Sequence, residues 1–251
     1  ADDVKKLKKI DPAVDLKYVL DAVSLTKKEL NGRVPLIGFA GSPWTLLTYM
    51  VEGKGTKNFS QVKKLIYNNP ALAHELLAKL ADAVAVYLSA KIEAGVNAVQ
   101  IFDTWGGILS QHDFEEFSLR YIRRIISQLK RKDEPVIVFA KGVHYKLKKL
   151  AKCGADAIGL DWTMDIDRVK KRIGKKVALQ GNLDRTALYA PEEKIREEVI
   201  RVLDSYGKGS GHVFNLGHGI LPDIDPAKAK FLVETVKEES KKYHIVNESV
   251  E

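Results

Sequence analysis

Cysteine is nearly absent: Cys153 is the single one among 251 residues, which excludes an intramolecular disulfide and any cysteine-based metal cluster. Its place just before Gly154, at a helix end, reads as a small packed residue in a reducing compartment, so the expected location is cytoplasmic. No apolar run reaches membrane-spanning length, and no signal peptide opens the chain. His74, His112, His144 and His244 share no HExxH spacing, there is no GxSxG elbow, and no Ser/His/Asp order stands out. Neither a zinc site nor hydrolase chemistry is expected. The first residue is Ala1 and not Met, which suggests a start inside a longer gene product.

What is present is a globular α/β pattern. A hydrophobic share of 45% allows a full core, and without a linker-like composition shift residues 1–251 read as one domain. The formal charge of +8 is compatible with a polyanionic small substrate. The lysines are spread along helices without interleaved aromatics, so runs such as Lys146–Lys149 and Lys170–Arg172 read as solvated faces and nucleic acid is not an expected partner.

Apolar runs suited to interior parallel strands recur at 34–39, 97–103, 135–140, 156–161, 176–180 and 212–216. Between them, Asp11-Pro12 starts a helix that stops at Asn31-Gly32, and Asn69-Pro70 starts another that reaches Gly95. Asp113 and Glu116 resemble a capping box, and Asp225-Pro226 opens the last helix. About six strands are visible where a closed β/α barrel needs eight, so a doubly wound open sheet competes with a barrel lacking its first two β/α units. The GKG and GKGSG pieces at 53–55 and 207–211 lack the strand and helix context of a dinucleotide loop.

The richest stretch is GFAGSPWTLLTYMVEG, residues 38–53. Gly38 and Gly41 remove Cβ atoms where the chain leaves a strand, which would let a ligand approach, and Ser42-Pro43 can cap and start a helix. The plainer reading is punctuation, with Trp44, Leu47 and Met50 as core. Asp103, Asp161, Asn182 and Asn215 also follow strands, either as functional groups or as caps of the next turn. His218, between Gly217 and Gly219, points to function, because the glycines permit unusual dihedrals that bring the imidazole to a ligand.

With GFAGSPWTLLTYMVEG, the segments IFDTWGG (101–107), GLDWT (159–163), VALQGNLD (177–184) and HVFNLGHGILPDIDP (212–226) resemble, in order, those of the uroporphyrinogen decarboxylase family. The resemblance implies a single (β/α)8 TIM barrel, usually a homodimer. It implies removal of carbon dioxide from the four acetates of uroporphyrinogen III, giving coproporphyrinogen III in haem biosynthesis, with no cofactor and no metal. Carried over by position, Tyr49 is the substrate-contacting tyrosine, Thr104 the hydroxyl after the acidic residue, His218 a carboxylate partner and Phe39 an aromatic lining the cleft.

The family's RQAGR-like arginine motif and the aspartate of its FSDI-like segment occur nowhere in these 251 residues. The missing strands and missing motifs together imply an N-terminally incomplete decarboxylase, inactive alone, whose catalytic aspartate and arginines lie upstream of Ala1. Arg185 is a further departure, since the family commonly continues GNLD with proline. A non-catalytic porphyrinogen-binding remnant and a methyltransferase of the related barrel are the alternatives; the second needs a His and Cys cluster that Cys153 alone cannot supply.

Overall fold

Pro35 brings no N–H to a ladder, and the N–H of Leu36 is taken by the Asn97 side chain at 2.9 Å. The first strand, β1, therefore runs over Ile37–Gly41, three residues later at its start and two at its end than the apolar run suggests. The computed structural model describes residues 2–53, 56 and 58–244; Lys54 and Gly55 of the GKG piece lie outside them. Its contacts divide the chain into two units, Ala1–Asp156 and Ala157–Glu251.

In the first unit α1 (Asp2–Lys6), α2 (Pro12–Asp15) and α3 (Lys17–Leu30) precede β1. The single helix expected from Asp11 is broken at Leu16, whose φ of −128° and ψ of 23° leave the helical range, while the Asp15 carboxylate accepts the N–H of Asp11 at 2.8 Å and secures the start of α2. After β1 come α4 (Pro43–Glu52), α5 (Ser60–Asn68) and α6 (Pro70–Glu93), then β2 (Ala98–Asp103). A short α7 (Gln111–Asp113) runs into a π-helix at Phe114–Leu119 and on into α8 (Arg120–Gln128); β3 (Val136–Ala140) and α9 (Leu147–Leu150) finish the unit. The cap of this helical run is Ser110, whose Oγ accepts from Asp113 N at 3.1 Å, so the capping box predicted at Asp113 and Glu116 sits three residues too late. Trp44 and Leu47 are buried as core, whereas Met50 is exposed.

β1, β2 and β3 pair in parallel. β2 and β3 are buried almost throughout, but β1 alternates, with Phe39 58% exposed and Ala40 buried. One face of β1 is covered by α6 and the turn after it: a Cβ on Gly38 would stand 3.1 Å from Val96 Cγ1 and 3.3 Å from Lys91 Cδ. The space at Gly38 is filled by protein, and Leu46 fills that at Gly41, so neither glycine opens a path for a ligand. Ser42 N donates to Phe102 O, so even-numbered backbone groups serve β2 and those of Ile37, Phe39 and Gly41 face away from it. Lys91, only 5% exposed, reaches that edge and donates to Phe39 O at 2.8 Å. Its ammonium also lies 4.2 Å from the ring centre of Tyr87 and 5.0 Å from that of Phe39.

The second unit holds β4 (Ala157–Gly159), α10 (Ile166–Ile173), β5 (Ala178–Gln180), α11 (Glu192–Tyr206), β6 (His212–Val213) and α12 (Pro226–Glu239). β5 pairs in parallel with both β4 and β6. β6 has two residues where five were expected, although Leu216 still bridges Leu183. The core is Leu183, Leu188, Ile195, Val199, Leu203 and Leu232, with α11 against α12, each such fully buried side chain contributing about 1.5–3 kcal/mol. Lys170 is not on a solvated face: it donates to Tyr206 O at 2.8 Å and Lys208 O at 3.1 Å, at the negative end of α11.

His212 lies stacked on Tyr206 at 4.3 Å, and since a carbonyl only accepts, its Nε2 donates to Gly181 O at 2.8 Å. Burial pushes its pKa below the ordinary 6.5, against the opposing effect of the Gly181 carbonyl. The unfolded chain thus takes up the proton first on acidification.

Two outcomes are expected. Stability falls as pH drops below 6.5 until the depressed folded pKa is passed, and His212→Phe flattens that slope in urea titrations at stepped pH. Lys91→Met, which leaves Phe39 O without its donor, lowers the unfolding free energy by about 2 kcal/mol in the same assay.

Candidate active-site residues at the strand ends

In the first unit the strand-end chemistry is organised by a carboxylate that solvent does not reach. Asp103, the last residue of β2, is fully buried. Its Oδ1 accepts from Ser42 Oγ at 2.7 Å and from Thr45 Oγ1 at 3.1 Å, and its Oδ2 accepts from Ser118 Oγ at 2.6 Å. Burial pushes its pKa up, and the three hydroxyls pull in the opposite direction. Ser42 also caps α4 by accepting from Thr45 N at 3.1 Å, so one hydroxyl joins helix start, strand end and carboxylate.

From this frame the next residues are aimed. Trp105 N donates to Thr45 Oγ1 at 3.4 Å, and Trp105 O accepts from Trp44 Nε1 at 3.0 Å. The Trp105 ring stacks obliquely on Phe59 at 4.5 Å and meets Tyr49 edge-on at 6.4 Å. Tyr49 keeps 45% of its surface exposed, and Thr104 is half-buried between Asp103 and Trp105. Tyr49 meets Trp105, the residue that follows Thr104 in the chain. Phe39 lies apart on β1, edge-on to Phe102 at 5.8 Å, and Phe102 in turn meets Phe139 at 5.9 Å.

In the second unit Asp161 is buried and accepts from Thr163 N at 2.9 Å, capping its own turn. Asn182 Nδ2 donates to Asp161 O at 2.9 Å and Met164 O at 2.7 Å, and Asn215 Oδ1 accepts from Leu216 N, so these groups build loops. His218 meets the Trp162 ring edge-on at 6.3 Å, and its Nδ1 lies 3.2 Å from Arg185 Nη1. The flanking glycines do not act through unusual dihedrals, since neither has positive φ. Gly217 is required because a Cβ there would collide with the Trp162 backbone, and Gly219 has open space around it.

These groups are hydrogen-bond donors of moderate strength plus one guanidinium, a set suited to oxygens of an anionic ligand. Among the described residues no group of three His, Cys, Asp or Glu is placed to hold a metal ion. Cys153 is buried, which raises its thiol pKa, and it packs as expected. Sequence reasoning missed Ser118, Thr45 and Lys91 as partners of strand-end groups. Ser42-x-x-Thr45 at a strand end was an available signal, whereas Ser118 reaches Asp103 only through the π-helix, which no spacing rule reveals.

Asp103→Ala would leave three buried hydroxyls without their acceptor, and an unfolding free energy lower by about 3–5 kcal/mol is expected. Asp103→Asn, of equal volume, should cost less than half of that; urea denaturation of both variants checks the ranking.

Residues 1–239 match the family profile described as uroporphyrinogen decarboxylase (URO-D). The chain is 56% identical over 246 residues to the uroporphyrinogen decarboxylase of Hydrogenovibrio crunogenus, with 96% of this chain and 70% of that protein covered. The Saccharophagus degradans enzyme gives 56% over 248 residues, covering 97% and 70%. The chain thus spans about 70% of the length of these relatives. Among solved structures, a methyltransferase from Methanosarcina mazei superposes with a TM-score of 0.76 at 23% identity, covering 88% of this chain and 63% of the other. A B12-independent methionine synthase from Shewanella follows at 0.61 and 12%, covering 94% and 67%. At such identities these two show the fold, the parallel β/α arrangement of TIM barrels, and nothing further. With parallel strands, strand-end donors for an anion and this degree of identity, the chain belongs to the uroporphyrinogen decarboxylase family.

Proposed function

We propose that in this chain Tyr49, Thr104, Phe39 and His218 contact uroporphyrinogen, a tetrapyrrole with eight carboxylates, for decarboxylation of its four acetates. The observation that carries the reading is Tyr49: its phenol stays exposed while its ring rests on Trp105, whose backbone is tied to the buried Asp103 frame. A hydroxyl held in that way can meet a carboxylate oxygen with little loss of rotamer freedom. Phe39 offers an exposed ring edge-on to Phe102, suited to a flat pyrrole.

In the reaction, protonation of a pyrrole carbon makes the ring an electron sink. The electrons of the bond to the departing carboxylate move into the ring, carbon dioxide leaves, a proton taken up by the exocyclic carbon gives a methyl group, and the ring carbon gives its proton back to restore the pyrrole. Protein groups then act by binding and electrostatics. The pyrrole-contacting aspartate and the arginines of the family are not among the 251 residues, so the proposed share of this chain is substrate binding. The proposal includes a homodimer in the cytoplasm, as the resemblance implies; no helix of the described residues is long and apolar enough to cross a membrane.

The test is anaerobic incubation with uroporphyrinogen III beside fluorescence titration with uroporphyrin III. Saturable binding without decarboxylation is expected for this chain, with coproporphyrinogen III formed once the RQAGR-like and FSDI-like segments of a relative are fused ahead of it. Tyr49→Phe should weaken binding about tenfold. Absence of binding overturns the reading, and robust turnover by the chain alone overturns the placing of the catalytic groups outside it.

A further inference from the structure

Arg185 stands where the resemblance gives proline, and it is set against His218. It opens the short 3-10 turn Arg185–Tyr189, which Asp184 caps by accepting from Thr186 N at 2.9 Å, so its backbone is fixed. From there Nη1 donates to Gly219 O at 2.9 Å and lies 3.2 Å from His218 Nδ1. A guanidinium carries only donors and stays protonated. The imidazole nitrogen facing it must therefore be the one with the lone pair, which leaves the ring proton of the neutral form on Nε2.

We propose that Arg185 fixes His218 as the Nε2–H tautomer and offers its remaining edge, Nε and Nη2, as a second donor pair for a carboxylate of the substrate. Among the described residues, both hydrogen bonds of the guanidinium use Nη1, and no carboxylate lies within ion-pair distance of Arg185. Asp223 of the second unit accepts from Tyr189 Oη at 2.8 Å through both oxygens. A bidentate guanidinium edge is a fitting recognition group for one carboxylate, and it supplies positive charge that hydroxyls do not. The inference rests on the reading of His218 as a substrate contact.

Long-range proton–nitrogen NMR of the histidine-labelled chain reads the tautomer directly, and fluorescence titration with uroporphyrin III and coproporphyrin III, which carry eight and four carboxylates, reads recognition. In the unsubstituted chain a lone-pair Nδ1 and a protonated Nε2 are expected for His218. Arg185→Met should turn this into a mixture of tautomers and weaken uroporphyrin binding about tenfold, with a smaller loss for coproporphyrin. His218→Gln should also weaken uroporphyrin binding, and the double variant should lose less than the sum, because the two side chains act as a unit. The same spectra report that the variant is folded. A protonated Nδ1 in the unsubstituted chain, or Arg185→Met binding like the original while His218→Gln binds weakly, overturns the role of Arg185 and leaves that of His218 standing. Undisturbed binding in both variants overturns the two together.

Discussion

A carboxylate without water is the constraint on which the first unit depends. Asp103 ends β2 in a place where its charge is costly, and the neighbouring structure is arranged to meet its oxygens with hydroxyls. Ser42 comes from the end of β1, Thr45 from the first turn of α4 and Ser118 from the π-helix, so one side chain fixes three elements against a fourth. Among the described residues no cation pairs with it; the donors are neutral. The Trp105 backbone is held through Thr45, and Tyr49 rests on the Trp105 ring. The Trp105 and Tyr49 side chains of this unit are therefore positioned through a buried polar cluster.

The second unit solves the same problem with backbone. Asp161 accepts from its own turn, Asn182 ties two carbonyls together, and Gly217 lets the His218 loop pass close to Trp162. Arg185 faces His218, and its Nε and Nη2 remain beyond what the loop uses. Of the two aspartates in similar sequence settings, IFDTW and GLDWT, the first is a hub between elements and the second caps the turn that follows it.

Much of this was legible in the sequence. All six strands lie where apolar runs announce them, and Pro and Asp or Asn pairs mark the starts of α2, α6 and α12. Motif resemblance located the strand-end residues and the family. What was hidden has physical causes. Residues with two partners, such as Ser42, look like simple caps; Lys91 looks like one more surface lysine on a long helix, although its aliphatic stem is buried and its head serves a strand edge. The role of Gly38 depends on what packs across it. Such features depend on contacts in space, which a linear pattern does not encode.

The π-helix at Phe114–Leu119 has a consequence for how this segment can change in length. A wide turn holds one more residue than an α-turn while the chain turns through nearly the same angle, so the helical residues before Phe114 and α8 after Leu119 stay in phase. Ser118 sits on that turn, where its Oγ donates to Asp103 Oδ2 at 2.6 Å. The stretch is thus a place where the chain carries one more residue without turning the face that α8 presents.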